Sequence, residues 1–143
     1  MAEAERRPPR WLRVANRLNI AMLSRGIGPA SQRILTIPGR VSGVPRSTPI
    51  ATVDWQGAVY LVAGFENAQW VKNARAVGHG TLSRGPSTRS VSLFEVPAED
   101  RMPMLREFLR TVRGGRSFVA VPRRPSEQQF REAADRHPVF RVE

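Results

Sequence analysis

The chain has no cysteine, only two histidines, one tyrosine and a single lysine, Lys72. Without cysteine there are no disulfides, no thiolate nucleophile and no sulfur-ligated metal. Two histidines alone, His79 and His137, make no transition-metal set, so no metal site is expected. A cysteine-free chain is compatible with a reducing compartment, and a cytoplasmic location is expected. No apolar run approaches the roughly 18 residues of a membrane-spanning helix. The N-terminus lacks the apolar core of a secretory signal. There is no internal repeat and no long low-complexity tract.

Acidic residues are also scarce. Twelve stand against 23 basic ones, for a net charge of +11. All the basic residues but Lys72 are arginine, whose planar fork suits phosphate and carboxylate. The partners implied are anionic: nucleic acid, an acidic membrane surface or a phosphorylated cofactor. The basic residues are scattered, however, with no helix-turn-helix, zinc finger or stacking strand, which argues against nucleic acid. At 143 residues and 41% hydrophobic, residues 1–143 are expected to form one domain, burying about 68–70% of the unfolded surface.

Residues 1–9 read as a flexible N-terminus. Residues 10–24 read as an amphipathic helix, with Trp11, Val14, Ala15, Leu18 and Met22 on one stripe and Arg10, Arg13 and Arg17 on another. The apolar stripe is expected to face the core, with the basic face solvated; the alternative is a helix lying on an acidic membrane or over a site. Strands are expected at Gln32–Ile37, Thr48–Asp54, Ala58–Ala63, Thr81–Arg84, Arg89–Val96, Phe118–Val121 and Val139–Val142. Gly57 supplies the unusual dihedral of one hairpin. Helices are expected at Gln69–Ala76, Asp100–Val112 and Ser126–Arg136, with Glu99 and Asp100 at the positive start of the second. Strands gathered mid-chain with peripheral helices predict a mainly β, α+β fold: an antiparallel sheet or barrel.

The densest chemistry lies in TIPGRVSGVPRSTPI, residues 36–50. It holds two arginines, two glycines, three prolines and four hydroxyl side chains. Glycine lets backbone N–H groups approach a ligand. Arg40 and Arg46 can fork onto phosphate or carboxylate, and Ser42, Ser47 and Thr48 can add neutral donors. Pro38, Pro45 and Pro49 stiffen the segment and lower the entropic cost of binding. The simpler reading is a turn with solvated arginines. The stretch is not a P-loop, since the Gly-Lys-Ser/Thr ending is absent.

Residues Gly39-Arg40-Val41-Ser42-Gly43-Val44-Pro45-Arg46-Ser47-Thr48-Pro49, followed by Tyr60-Leu61-Val62-Ala63-Gly64 and Trp70-Val71-Lys72-Asn73, resemble the deazaflavin-dependent nitroreductase family in order and spacing. That resemblance implies a split β-barrel of the FMN-binding type. It also implies coenzyme F-420, with FMN as the alternative cofactor. It further implies an oxidoreductase that passes a hydride from the reduced coenzyme to a planar acceptor, a quinone or nitro compound. Arg40, Val41, Ser42 and Arg46 would meet the phosphate and acidic tail. Ser47, Thr48, Pro49 and Ile50 would line the ring and ribityl region. Ala63 and Gly64 would leave room beside the ring, and Trp70 and Asn73 would orient the bordering helix.

No catalytic side chain is implied, because the coenzyme carries the chemistry. Val41 stands where the family usually has lysine, and Val71 where it has tyrosine. The only tyrosine, Tyr60, is upstream of the position at which family nitroreductases place theirs. A non-catalytic deazaflavin or flavin carrier and a basic nucleic-acid-binding domain are the competing readings. Expected partners are a small-molecule acceptor, a second copy in a homodimer, and a membrane surface met by the N-terminal helix. His79 reads as a strand start or a proton donor, His137 as structural, and Met102, Met104 and Phe108 as core.

Overall fold

The computed structural model describes residues 9–112, 114–117, 119 and 121–143. Helix α1 spans Arg10–Ser24, strand β1 Gln32–Pro38, β2 Pro45–Trp55 and β3 Ala58–Val62. Then follow α2 Gln69–Val77, β4 His79–Arg84, β5 Ser87–Glu95, α3 Met102–Thr111, α4 Glu127–Arg136 and β6 Val139–Val142. The strands close into an antiparallel barrel in the order β1-β2-β3-β6-β5-β4.

Two strands change partners midway. The first half of β2 pairs with β1, from Pro45↔Pro38 to Ala51↔Gln32, and its last residues pair with β3, from Thr52↔Leu61 to Trp55↔Ala58. Likewise β5 pairs with β4 up to Ser92 and with β6 from Leu93. These switches split the barrel into two sheets. They leave one edge of β2 before Thr52 without a strand partner among the described residues.

Alternation along each strand sends one set of side chains inward and the other outward. Leu35, Ile37, Ile50, Leu61, Leu93 and Phe140 fill the interior, together with Val71 and Ala74 of α2, which plugs one end. Val53, Tyr60, Val62 and Val139 face outward beneath Leu105 and Phe108 of α3. The β2–β3 turn has positive φ at both Gln56 (48°) and Gly57 (78°), the geometry that matches strand twist in a two-residue hairpin. Helix α4 starts in a capping box: Gln129 N donates to Ser126 Oγ (3.2 Å) and Ser126 N to Gln129 Oε1 (2.8 Å).

Four sequence expectations are corrected. The Trp11/Val14/Leu18/Met22 stripe does not face the core: Trp11 is 68% exposed, Val14 70% and Leu18 62%. Helix α1 instead turns Leu12, Ala15, Asn16, Ile20 and the buried Leu23 inward. Its C-terminal end is pinned at that angle, because Gly85 N donates to Leu23 O (2.8 Å). Strand β2 begins three residues earlier than expected, so Pro45–Ser47 belong to the strand rather than the turn. Glu99 and Asp100 occupy a 3₁₀ turn ahead of α3, whose first turn contains no acid. Of the expected strand at 118–121, residues 118 and 120 lie outside the described residues, and 119 and 121 are not in a strand.

Candidate functional site

The 36–50 stretch is a hairpin closed by a six-residue loop, 39–44. Gly39 N donates to Val44 O (2.9 Å) and Gly43 N to Gly39 O (2.9 Å). Val44 N donates to Ser42 Oγ (3.2 Å). Gly43 sits at φ +73°, where a side chain would be strained. These bonds fold the loop back on itself and turn Val41 outward, 94% exposed.

The loop is fastened to α2 through Arg40. Its backbone N donates to Asn73 Oδ1 (3.1 Å), and its Nη1 donates to Asn73 Oδ1 (2.9 Å) and Gln69 Oε1 (3.1 Å). Asn73 is buried, at 3% exposure. Trp70, one turn away, packs its ring on Phe140 of the barrel interior at a centroid distance of 5.5 Å. Helix α2 is thereby seated on the barrel end, with the loop tied to its flank.

The predicted site residues on β2 fall on two faces. By register, Arg46 lies opposite Ile37 and Thr48 opposite Leu35, so Arg46, Thr48 and Ile50 share the inward-turned face. Arg46 is exposed there and makes no hydrogen bond or ion pair among the described residues. Ser47 and Pro49 share the outward face, where the hydroxyls of Ser47 and Thr36 are 2.7 Å apart. Pro49 is half-buried opposite Ile34. Ala63 is fully buried; its N donates to Pro138 O (2.9 Å), and His137 Nδ1 lies 2.8 Å from its carbonyl oxygen. Gly64, next to it, is half-buried.

Beside the hairpin, on the outer wall of β1, β4 and β5, runs an open groove of about 480 Å³. Thr36, Pro38 and Pro45 of the hairpin line it, with His79, Thr81, Ser90, Ser92 and Glu143. The volume falls within the range of small-molecule sites. Gly80 is required at its floor, since a Cβ there would stand 2.4 Å from Thr36 O. A second depression of about 460 Å³ at the end of α3 includes no residue of the hairpin.

Sequence reasoning named His79 but missed the hydroxyl wall. The available signal was the Ser90-Val91-Ser92-Leu93 alternation, which places both serines outward. It also missed a charge network behind α2. Arg75 donates from Nε and Nη2 to the two carboxylate oxygens of Glu95 (2.8 and 2.7 Å), and Arg101 Nη2 reaches Glu95 Oε2 (3.1 Å). The hydrogen bonds from Arg75 hold the Glu95 carboxyl below its ordinary pKa, while partial burial opposes them. Among the described residues no group of three or more potential ligands could hold a metal ion. Nor, among the described residues, is any helix long and apolar enough to cross a membrane.

A comparison with curated proteins gives no match. Solved structures share the fold at low identity. A chain described as a domain-swapped dimer superposes with TM-score 0.59 at 19% identity, covering 93% of this chain and 97% of the other. An F420-H2 dependent reductase (FDR-A) gives 0.57 at 20% identity, covering 80% and 95%. A conserved hypothetical protein from Mycobacterium tuberculosis gives 0.51 at 13% identity, covering 100% and 84%. The chain therefore shares the fold of these structures, and its barrel is split into two sheets, as the resemblance implied. The family model described as F420H(2)-dependent quinone reductase matches residues 11–118. With three quarters of its length matched, the chain belongs to the F420H(2)-dependent quinone reductase family, oxidoreductases that work with the reduced deazaflavin coenzyme F-420.

Proposed function

We propose that the 38–50 hairpin and its neighbouring groove hold coenzyme F-420, and that the acceptor is a small planar compound of the quinone or nitro class. The observation that carries this reading is Arg46: an exposed guanidinium with no partner among the described residues, on the inward-turned face of a proline-stiffened strand whose other face meets the hydroxyl-lined groove. The residues present suit the coenzyme. Its tail is a polyanion, and a pre-positioned cation binds such a group with little loss of conformational entropy.

When bound, the reduced deazaflavin supplies the hydride. The chain's own residues bind and orient. Arg46 grips the phosphate, assisted by Ser42 and by the N–H groups Arg40 has not spent on α2. Ser47, Thr48, Pro49 and Ile50 flank the ring and ribityl region, with Gly64 and the backbone at Ala63 beside them. Trp70 holds α2 in place through Phe140 rather than by touching the ring. His79, exposed on the groove wall, is placed to give the acceptor the proton that accompanies a hydride.

The test is a fluorescence titration with oxidised coenzyme and, separately, with flavin mononucleotide. Arg46→Ala should weaken coenzyme binding by about 10- to 100-fold, the worth of a hydrogen bond to a charged group. Equal affinity in the variant would refute the assignment. Steady-state oxidation of the reduced coenzyme by menadione then distinguishes an enzyme from a carrier.

A second reading concerns α1. Its exposed Trp11, Val14 and Leu18 lie among Arg10, Arg13 and Arg17, also exposed. We propose that this face rests on an anionic bilayer, so that a cytoplasmic chain meets the inner leaflet. Each arginine near such a surface contributes about 1 kcal/mol. Two copies docked α1 to α1 would instead bring six guanidiniums together. Full-length protein should pellet with acidic but not neutral vesicles, and Leu18→Glu should release it. Dimerisation that is lost in Leu18→Glu, without vesicle binding, would replace the bilayer with a second copy.

A further inference from the structure

Strand β6 is entered through His137-Pro138, and the proline leaves a gap in the ladder. The β3–β6 register, carried one step past Val62↔Val139, sets Ala63 opposite Pro138. The bond from Ala63 N to Pro138 O (2.9 Å) marks this as a pair that exchanges two hydrogen bonds. Proline has no N–H, so the return bond to Ala63 O cannot form. Ala63 is fully buried, so bulk water cannot replace it. The imidazole of His137 stands in the missing donor's place, with Nδ1 2.8 Å from Ala63 O. A carbonyl oxygen only accepts, so Nδ1 carries the hydrogen. His137 is itself buried, at 5% exposure, where a polar side chain needs a partner. Ala63 is also where the chain leaves β3 and turns through Gly64 towards α2.

We infer that His137 is a positioning residue for the reaction: its Nδ1–H supplies the ladder bond that Pro138 cannot, and so fixes the Ala63–Gly64 backbone beside the deazaflavin ring. This rests on the reading that residues 63 and 64 flank that ring. The imidazole acts through Ala63 and not on the coenzyme itself. Arg46 grips the phosphate end of the ligand, and His137 sets the backbone at the ring end. The same dipeptide thereby joins the end of α4 to the site, because His137 N donates to Ala133 O (3.0 Å).

The test is a two-residue cycle read as affinity for oxidised F-420 by fluorescence. His137→Leu should weaken binding about 10-fold, the order expected when a buried acceptor is orphaned. Pro138→Ala restores a backbone N–H opposite Ala63 O, which makes the imidazole dispensable. In the Pro138→Ala background His137→Leu should therefore cost about 3-fold or less, a non-additive pair. An imidazole that only fills space would give the same loss in both backgrounds, and that result would overturn the inference. So would a folded His137→Leu that binds the coenzyme as tightly as wild type.

Should His137→Leu not fold, His137→Asn takes its place. Its amide keeps a donor near the position of Nδ1, so affinity close to wild type is expected, and a loss of about 10-fold would overturn the role. The hydrogen bond is also read without ligand or variant. Nitrogen NMR of the wild-type imidazole should show Nδ1 protonated, and a bare Nδ1 would overturn the donor assignment. If wild-type protein binds no coenzyme, the proposed function fails, whereas wild-type binding that His137→Leu leaves intact fails this inference alone.

Discussion

Arg101 is the side chain whose loss should cost the fold most, and the cost can be worked from its three partners. It is 7% exposed, and burial pushes its pKa below the ordinary arginine value. Its Nε donates to Val96 O (2.8 Å), its Nη1 to Ala134 O (3.0 Å) and its Nη2 to Glu95 Oε2 (3.1 Å). The Ala134 contact is not optional. In a continuing helix that carbonyl would accept from the amide of residue 138, but residue 138 is proline and has no N–H. Arg101 therefore replaces the missing donor at the end of α4 while joining it to the end of β5. Arg101→Met fills much of the volume but leaves two buried carbonyls unpaired. At about 1–3 kcal/mol for each orphaned group, the variant should lose about 3 kcal/mol or more. For a chain of this size that lowers the melting temperature by about 6–12 °C. Urea denaturation gives the free energy and scanning fluorimetry the midpoint. A loss of less than about 0.5 kcal/mol, the ordinary effect of a surface change, would refute the claim that these carbonyls depend on Arg101.

Glu95 gives a pH prediction. Its folded pKa lies below the ordinary 4.5, chiefly through the hydrogen bonds from Arg75. Stability from this carboxylate is therefore fully present above the unfolded value and is lost as pH falls below 4.5 through the folded pKa. Glu95→Gln should be less stable than wild type at pH 7, and the gap should close on acidification. A gap that is constant from pH 7 to pH 3 would contradict the ion-pair account. Gly80→Ala should lower stability by about 1–3 kcal/mol, because the added methyl meets the Thr36 backbone rather than a flexible side chain. Wild-type stability in this variant would show that β1 and β4 are not so close.

Much of the barrel was legible because its signals are local. The Ser90–Leu93 alternation, the Gln56-Gly57 turn and the apolar face of α3 each follow from short-range periodicity or turn chemistry. Helix α1 was legible as a helix but not in its orientation. RWLRVANRLNIAMLS carries two apolar stripes, 11/14/18/22 and 12/16/20/23 with Asn16 interrupting the second. The uninterrupted stripe looked like the buried one. What decides the matter is remote: Gly85 N holds Leu23 O, and Arg84 donates to the carbonyls of Gly26, Gly28, Pro29 and Gln32. The Arg40–Asn73 latch was illegible for the same reason. Both residues were named, but their contact spans 33 positions and needs α2 to lie across the barrel end.

The same distinction changes what the charge of +11 means. Composition treats all the arginines alike, as an invitation to anions. In the fold they divide by partner. Arg33, Arg84 and Arg101 spend their N–H groups on backbone carbonyls, which are neutral acceptors that helix ends and loops leave unpaired. Arg75, Arg110, Arg131 and Arg141 sit against carboxylates. Arginine suits the carbonyl role because its fork reaches several acceptors at once, as the four carbonyls on Arg84, three in the linker and one at the start of β1, illustrate, whereas a lysine ammonium has no such fixed spread. The cations left over include Arg46 at the hairpin and the Arg10/Arg13/Arg17 stripe on α1, with Arg25, Lys72, Arg89, Arg123 and Arg124 exposed elsewhere. A long nucleic acid would need cations spread along a continuous track. A single phosphate-bearing coenzyme needs one or two on a rigid support, which is the role proposed for the hairpin.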